Sequence, residues 1–366
     1  MIEGLEHLLE NSGQPGLAEL RELLSELMSD GKGADRFIDQ QMLQPRGQRV
    51  LRLRFGSNGT TRSVIIKRLK PEIALRNELV TTRWLPAIDL EKAGPPLLGS
   101  AAARSGHCVW HVYDDLGRWE LDPRSPGQEQ AKAAVDLIAR LHTGFAGHAL
   151  LGEIRLHGGD LGIHFYESNV RDAIAAMEAL QPPQEHRAVC ERLLDRLSKL
   201  RAELPRRAEA MGELAGPETL LHGDLWAINV FVIPAAGAPV SESEGPTGSR
   251  SGGWHARLID WDHAAVGPAT YDLSTFLLRF PASERPGVLE LYRGAVSRAG
   301  WRLPSDQDLN GLFETHEYAR FANRIIWPAI ALAVDEADWG WAELAEVESW
   351  FERFEPVLCV ATETKA

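Results

Sequence analysis

His222-Gly223-Asp224-Leu225-Trp226-Ala227-Ile228-Asn229, followed downstream by Leu258-Ile259-Asp260-Trp261-Asp262, decides how this chain is read. An Asp and an Asn stand five positions apart on what reads as a loop, and a second Asp ends a short apolar run. Asp224 supplies a carboxylate able to orient a hydroxyl. The amide of Asn229 and the carboxylate of Asp260 are hard oxygen donors able to hold magnesium on nucleotide phosphates. Phosphoryl transfer is mostly positioning and charge neutralisation, so it needs only a few such groups in fixed relation. Each residue also has an ordinary use, since Asp224 could cap a turn, Asn229 end a strand and Asp260 cap a helix. Their joint occurrence, in this order, carries the reading.

Upstream, Arg49-Val50-Leu51-Arg52-Leu53-Arg54-Phe55 alternates strictly and predicts a strand. Gly56-Ser57-Asn58-Gly59 is a turn, and Arg62 to Leu69 a second strand, so the two form a hairpin. Alternation puts Ile65 and Lys67 on one face of that strand. Lys67 closes the run Val64-Ile65-Ile66-Lys67, as does the lysine of the V-A-I-K element that reaches nucleotide phosphates. Taken alone, a lysine ending an exposed strand needs no such role. Pro71 opens a helix to about Trp84, proline being favoured in a first turn. Glu78 on that helix is the candidate to steady Lys67. Glu72 competes, but its place in the first turn is explained by the helix dipole. A further strand over 107–113 completes a small α+β lobe.

From Gly127 onward the pattern turns helical. Ala134, Leu137, Ile138, Leu141 and Phe145 repeat on one face, and further helices are predicted over 166–180, 184–213, 270–280, 283–299, 309–334 and 340–356. Strands are expected over 229–233 and 256–259, with the Gly-, Ser- and Pro-rich Ala235–Gly253 as a flexible excursion between them. Before the hairpin, residues 1–30 suggest two short helices separated by Gly13 and Pro15.

At 366 residues the chain can bury two substantial cores. Its formal net charge of −13 argues against a general nucleic-acid or anionic-membrane binder. Cys108, Cys190 and Cys359 are scattered without a CxxC pair, which fits a reducing cytosol and no disulfide or metal framework. The acidic start lacks the apolar run of a signal peptide, and no stretch approaches a membrane span. A cytoplasmic protein is the expectation.

With these residues in hand, the chain resembles the aminoglycoside phosphotransferase family, within the small-molecule kinases that include choline and ketosamine kinases. Leu221 to Asn229 and Ile259 to Leu273 carry the resemblance, with weaker support from Tyr113-Asp114-Asp115-Leu116-Gly117 and Ala139-Arg140-Leu141-His142. It spans about residues 35–335. It implies an α+β, bilobal protein-kinase-like fold with a small β-rich N-lobe and a larger, mostly helical C-lobe. The corresponding domains are an extension over 1–30, a nucleotide-binding N-lobe over 31–114, and a C-lobe over 115–366 with the catalytic loop, metal site and acceptor pocket. It further implies ATP, with GTP as the alternative, and Mg²⁺. Asp224 would be the base, and Asn229 and Asp260 the metal ligands. Lys67, Glu78, Val112 and Asp114 would serve the nucleotide, while His222 and Asp272 would brace the loop. The acceptor would be a hydroxyl of a small molecule, an aminoglycoside or a related amino sugar or amino alcohol, for which positive charge is one option.

Two departures qualify the resemblance. Between residues 40 and 60 there is no G-x-G-x-x-G, only Pro45-Arg46-Gly47-Gln48. Two residues after the catalytic Asp, where protein kinases usually carry a lysine, stands Trp226, which favours a small acceptor over a protein side chain. A ketosamine or other sugar-amine kinase also shares His222-Gly223-Asp224-Leu225-Trp226, although that group tends to place Pro where this chain has Trp261. A catalytically silent nucleotide-binding module is the reading from a different class. Residues 46–70 are basic and lack acids, which suits phosphates; 335–355 is strongly acidic, which suits either a cationic acceptor or a solvated helix face. Trp327, Trp339, Trp341 and Trp350 could stack on an acceptor ring or pack a core.

Overall fold

The computed structural model describes residues 2–9, 13–29, 36–43, 49–57, 60–235 and 253–359. The expected turn at Asn58-Gly59, the Pro45–Gln48 loop and nearly all of the Ala235–Gly253 excursion lie outside the described residues. Contacts divide the chain into two units, Met1–Leu121 with Ile228–Asp262, and Asp122–Ala227 with His263–Ala366. This differs from the sequence-based boundaries, because Ile228–Asp262 returns to the first unit.

The first unit is built on a five-stranded antiparallel sheet. Its strands are β1 (Arg36–Met42), β2 (Val50–Ser57), β3 (Thr60–Leu69), β4 (Leu97–Ala102) and β5 (Val109–Asp114), in the order β1-β2-β3-β5-β4. The predicted hairpin is β2 with β3, pairing Val50 with Lys67 and Leu53 with Val64. Sequence periodicity missed β1 and β4. Both are edge strands whose apolar residues do not alternate, and an edge strand needs less of the alternating apolar pattern that marks a central one.

Strand pleating sorts this sheet into two faces. Leu51, Leu53, Phe55, Val64, Ile66, Trp110 and Val112 point to one side and are buried. They pack against Leu5, Leu8, Leu9, Leu20, Leu24 and Met28 from the chain's first thirty residues. Within the expected N-terminal extension, the 3₁₀ turn Leu5–His7 and the helix α1 (Leu17–Ser29) pack onto the core of this unit. The opposite face carries Arg52, Lys67 and His111, and Lys67 sits directly across from His111 in the β3–β5 register.

After β3 comes α2 (Pro71–Leu79), with proline in its first turn as predicted. It runs on through a π-helical turn, Val80–Trp84, and a 3₁₀ turn, Leu85–Ile88, rather than remaining α to Trp84. The returning segment supplies an antiparallel pair, Val230–Pro234 with Trp254–Leu258.

In the second unit the helices are α3 (Gln128–Phe145), α4 (Leu151–Gly158), α5 (Ile163–Glu178), α6 (Arg187–Leu214), α7 (Thr270–Leu277), α8 (Arg285–Ser297), α9 (Asp306–Asp335) and α10 (Trp339–Arg353). All but the eight-residue α4 were legible from periodicity. Its core joins Tyr166, Val170 and Ile174 of α5 to Leu193 and Leu197 of α6, Ala322 and Ile325 of α9, and Leu344 and Val347 of α10. A short antiparallel pair joins Glu218–Leu221 to Ala265–Pro268. Among the described residues no helix is long and apolar enough to cross a membrane.

Candidate active site

The first unit gathers Lys67, Asn229 and Asp260. Val230 pairs with Leu258, so Asn229 and Ile259 lie opposite each other at the end of that ladder, and Ile259 N donates to Asn229 O at 2.9 Å. One residue further on, Asp260 adopts φ 66°. A left-handed backbone is uncommon outside glycine, and Asp is among the residues that tolerate it best. Strain of this kind survives where neighbours fix the conformation, and it clusters at sites that bind or react.

Lys67 reaches this turn from β3. Its ammonium donates to Asp260 Oδ1 at 2.5 Å and to Asp262 Oδ1 at 2.7 Å. Burial opposes the charge on Lys67, but the two carboxylates outweigh it and hold the ammonium above its ordinary value. Asp262 is held in turn by Asn77 Nδ2 at 3.0 Å, and its carbonyl accepts from Arg76 Nη1. Two neighbouring residues of α2 thus position the second carboxylate.

Glu78 does not pair with Lys67. Its carboxylate lies 3.1 Å from His111 Nε2, while His111 Nδ1 lies 2.8 Å from the Tyr113 hydroxyl. Burial pushes the His111 imidazole below its ordinary value, although Glu78 pulls the other way. The expected Lys67–Glu78 pair is replaced by two others because Asp260 and Asp262 face the lysine from the returning segment. Val112 is fully buried on the core side of β5, and Asp114 is exposed at its end. Beside it, Asp115 accepts from Arg52 Nε at 2.6 Å, Ser63 Oγ at 2.6 Å and Gly117 N at 3.0 Å, which ties the end of β5 to β2 and β3. Burial raises the Asp115 carboxyl, but Arg52, Ser63 and Gly117 hold it below its usual range.

His222, Asp224 and Asp272 belong to the second unit. Asp272 is fully buried in the first turn of α7 and accepts from His222 N at 2.7 Å and Gly223 N at 2.9 Å. His142 Nε2 lies 3.3 Å from the same carboxylate, and Thr219 donates its hydroxyl to the His142 carbonyl at 2.7 Å. Full burial would push this carboxyl up; the N–H groups of His142 and His222 overcome that and keep it below its ordinary value. Gly223 is at φ 81°, and a Cβ there would come within 1.9 Å of the His263 carbonyl, so only glycine fits. The loop is thereby fixed immediately before Asp224, and Trp226 N donates to Asp224 O at 2.9 Å to close the following turn.

Mg²⁺ takes one or two carboxylates, keeps several waters and accepts phosphate oxygens, so it needs no all-protein cage. Among the described residues there is no group of three or more His, Cys, Asp or Glu able to hold a metal ion by themselves. What the first unit offers is two carboxylates already converging on one cation, the Lys67 ammonium, with an amide at the same ladder end. That donor set fits magnesium.

Sequence reasoning passed over Asp262, Asn77, Arg76 and His111. Asp262 was in view two residues after Asp260; the others needed the strand register and the helix phase. The tryptophans divide. Trp341 stacks on His186 at 4.7 Å and Trp350 packs near Phe321 at 5.7 Å, whereas Trp327 and Trp339 are exposed. Several acids of α10 meet arginines of the same unit, Glu348 with Arg192 at 2.6 Å and Glu343 with Arg324 at 3.5 Å, as on a solvated helix face.

No protein-family model matches the chain, and no curated protein matches it by sequence. Among solved structures it is similar to spectinomycin phosphotransferase in complex with ADP and spectinomycin, at 14% identity and TM-score 0.56, over 92% of this chain and 95% of that one. It is also similar to Plasmodium vivax ethanolamine kinase, at 11% identity and TM-score 0.54, over 95% of each chain. A third is the GDP complex of aminoglycoside 2'-phosphotransferase-IIIa, at 13% identity and TM-score 0.54, over 92% of this chain and 99% of the other. At such identities the likeness is one of fold. The chain has the bilobal, kinase-like α+β fold of the aminoglycoside phosphotransferases and ethanolamine kinases, as the resemblance of its two loops implied.

Proposed function

We propose that this protein is a magnesium-dependent phosphotransferase that moves the γ-phosphoryl group of ATP to a hydroxyl of a small molecule. The observation that carries the reading is the convergence of Asp260 and Asp262 on the Lys67 ammonium, with Asn229 bonded through its carbonyl to Ile259, the residue before Asp260. A lysine that a nucleotide's phosphates could draw away, next to oxygen donors that its metal could occupy, is the equipment phosphoryl transfer requires.

In this reading Asn229 and Asp260 hold Mg²⁺, which when bound neutralises charge on the phosphates. Lys67 holds phosphate oxygens. Asp224 accepts the proton of the acceptor hydroxyl as its oxygen bonds to phosphorus, while the bond to the β–γ bridging oxygen breaks and ADP leaves with that electron pair. Asp272 fixes the loop so that Asp224 need not reorganise during the reaction. The similar structures are named for spectinomycin, aminoglycoside and ethanolamine kinases, which supports an amino sugar or amino alcohol as acceptor. Dependence on ATP supports a cytoplasmic site of action.

The test is an ADP-release screen over aminoglycosides, amino alcohols, sugars and nucleosides, repeated with Asp224→Ala. Turnover should fall by about three orders of magnitude or more with MgATP affinity nearly intact, the size of loss expected when a catalytic group is removed. Near wild-type turnover in Asp224→Ala would reject the base. Stabilisation by MgATP without turnover on any acceptor would instead indicate a silent nucleotide-binding module.

A further inference from the structure

Where protein kinases carry a lysine two residues after the catalytic Asp, this chain has Trp226, and the structure supplies a cation there from elsewhere. The Arg279 guanidinium carbon lies 3.2 Å from the centre of the Trp226 ring. Arg279 follows the end of α7, whose first turn holds the catalytic loop through Asp272. The same short helix therefore pins the backbone before Asp224 and sets a guanidinium on the side chain after it. Phe280, fully buried, anchors the chain next to Arg279.

A guanidinium lying on an aromatic ring keeps its N–H donors in its own plane, aimed past the ring edge, where they match the oxygens of a phosphoryl group. A second such stack in the same unit shows the contrast. Arg320 lies 3.8 Å from the Tyr271 ring, but its donors are committed to Glu317, Ser274 Oγ and Tyr271 O. Arg279 has no hydrogen-bond or salt-bridge partner for its guanidinium among the described residues. Burial lowers its pKa, with Glu317 and Asp224 opposing that shift, so the guanidinium lies within the electrostatic reach of Asp224.

We propose that Arg279, held flat by Trp226, replaces the missing lysine and grips the oxygens of the phosphoryl group during its transfer. The inference rests on Asp224 being the base. An acceptor oxygen within about 3 Å of Asp224 is bonding to phosphorus, which brings the phosphoryl oxygens close to a group stacked two residues further along the loop. Charge on those oxygens is what an arginine at such a position stabilises.

The test compares wild type with Arg279→Ala, Arg279→Lys and Trp226→Ala. Steady-state ADP release is measured with an acceptor and with water alone, and calorimetry follows MgADP binding with and without aluminium fluoride, which mimics the phosphoryl group in transfer. Arg279→Ala should lower kcat by about 100- to 1000-fold. MgADP affinity should stay within about twofold, while the gain from aluminium fluoride falls by a factor like that in kcat. Guanidinium ion at low millimolar concentration should restore part of the rate, which a purely structural residue would not permit. Trp226→Ala should show a smaller loss of the same kind, and Arg279→Lys an intermediate one. The proposal is overturned by kcat within about threefold of wild type, by a change confined to the acceptor KM, or by equal weakening of MgADP with and without aluminium fluoride. A wild-type protein that releases no ADP with any acceptor, yet needs Arg279 for its aluminium fluoride complex, would sink the small-molecule acceptor and leave the phosphoryl grip standing.

Discussion

Asp260 in the first unit and Asp272 in the second are both carboxylates held by hydrogen bonds, yet they are held in opposite ways. Asp260 is about a third exposed, sits on a left-handed backbone and meets a lysine side chain. Asp272 is wholly buried and meets two backbone N–H groups and a buried histidine. A side-chain ammonium at a half-open site can be exchanged for another cation. Backbone donors inside a core cannot, because separating them would strand a buried charge. The first arrangement suits a group that must trade partners with a ligand, the second a group that must never move.

The largest expected effect breaks the buried member of this pair. Asp272→Ala should cost about 3–5 kcal/mol in chemical denaturation, because it strips the acceptor from several buried donors. Hydrogen exchange should quicken at Leu221, His222 and Gly223. A loss under about 1 kcal/mol would mean that other contacts hold the loop.

Acid sensitivity comes next. His316, 2.9 Å from the Thr270 hydroxyl, is pushed by burial and by Arg320 down to about 3. The unfolded chain protonates this imidazole near its ordinary value of about 6.5, whereas the folded chain resists until far lower pH. Stability is therefore full above that value and falls as pH drops from about 6.5 toward 3, by about 2 kcal/mol at pH 5 for this group. His316→Gln should flatten that slope in melting experiments. An unchanged slope would assign the acid sensitivity to other groups.

Removing the half-open acid should show the reverse profile. Asp260→Ala should weaken MgATP by at least about tenfold in a titration, yet leave melting of the free protein within a degree or two. Unchanged affinity would reject its metal role, and a large drop in melting would make Asp260 structural, erasing the contrast with Asp272.

The smallest change tests the pairing that sequence reasoning expected. Glu78 faces His111, so Glu78→Gln should alter turnover by less than about threefold, as a partly exposed carboxylate beside a neutral histidine contributes little. A fall of orders of magnitude would show that Lys67 turns to Glu78 when nucleotide binds.

Local chemistry was legible in the one-dimensional pattern. The alternation of Arg49 to Phe55 can be read from sequence as a strand with Leu51, Leu53 and Phe55 on one face, and Pro71 as a helix start, because each depends on neighbours a few residues away. The edge strands β1 and β4, the eight-residue α4 and the π-helical turn at Val80–Trp84 were not, since tertiary packing rather than periodicity sustains them.

The sequence by itself determined which acids and amides the chain possesses for phosphoryl chemistry, and the order in which it presents them. Only the tertiary structure decided their partners. Lys67 meets Asp260 across 193 residues, Glu78 turns to His111 by strand register, and Arg279 comes to lie on Trp226. Spacing fixes direction over one turn or one pleat, whereas a pairing between distant segments follows from which register buries the apolar faces, a property of the whole folded chain.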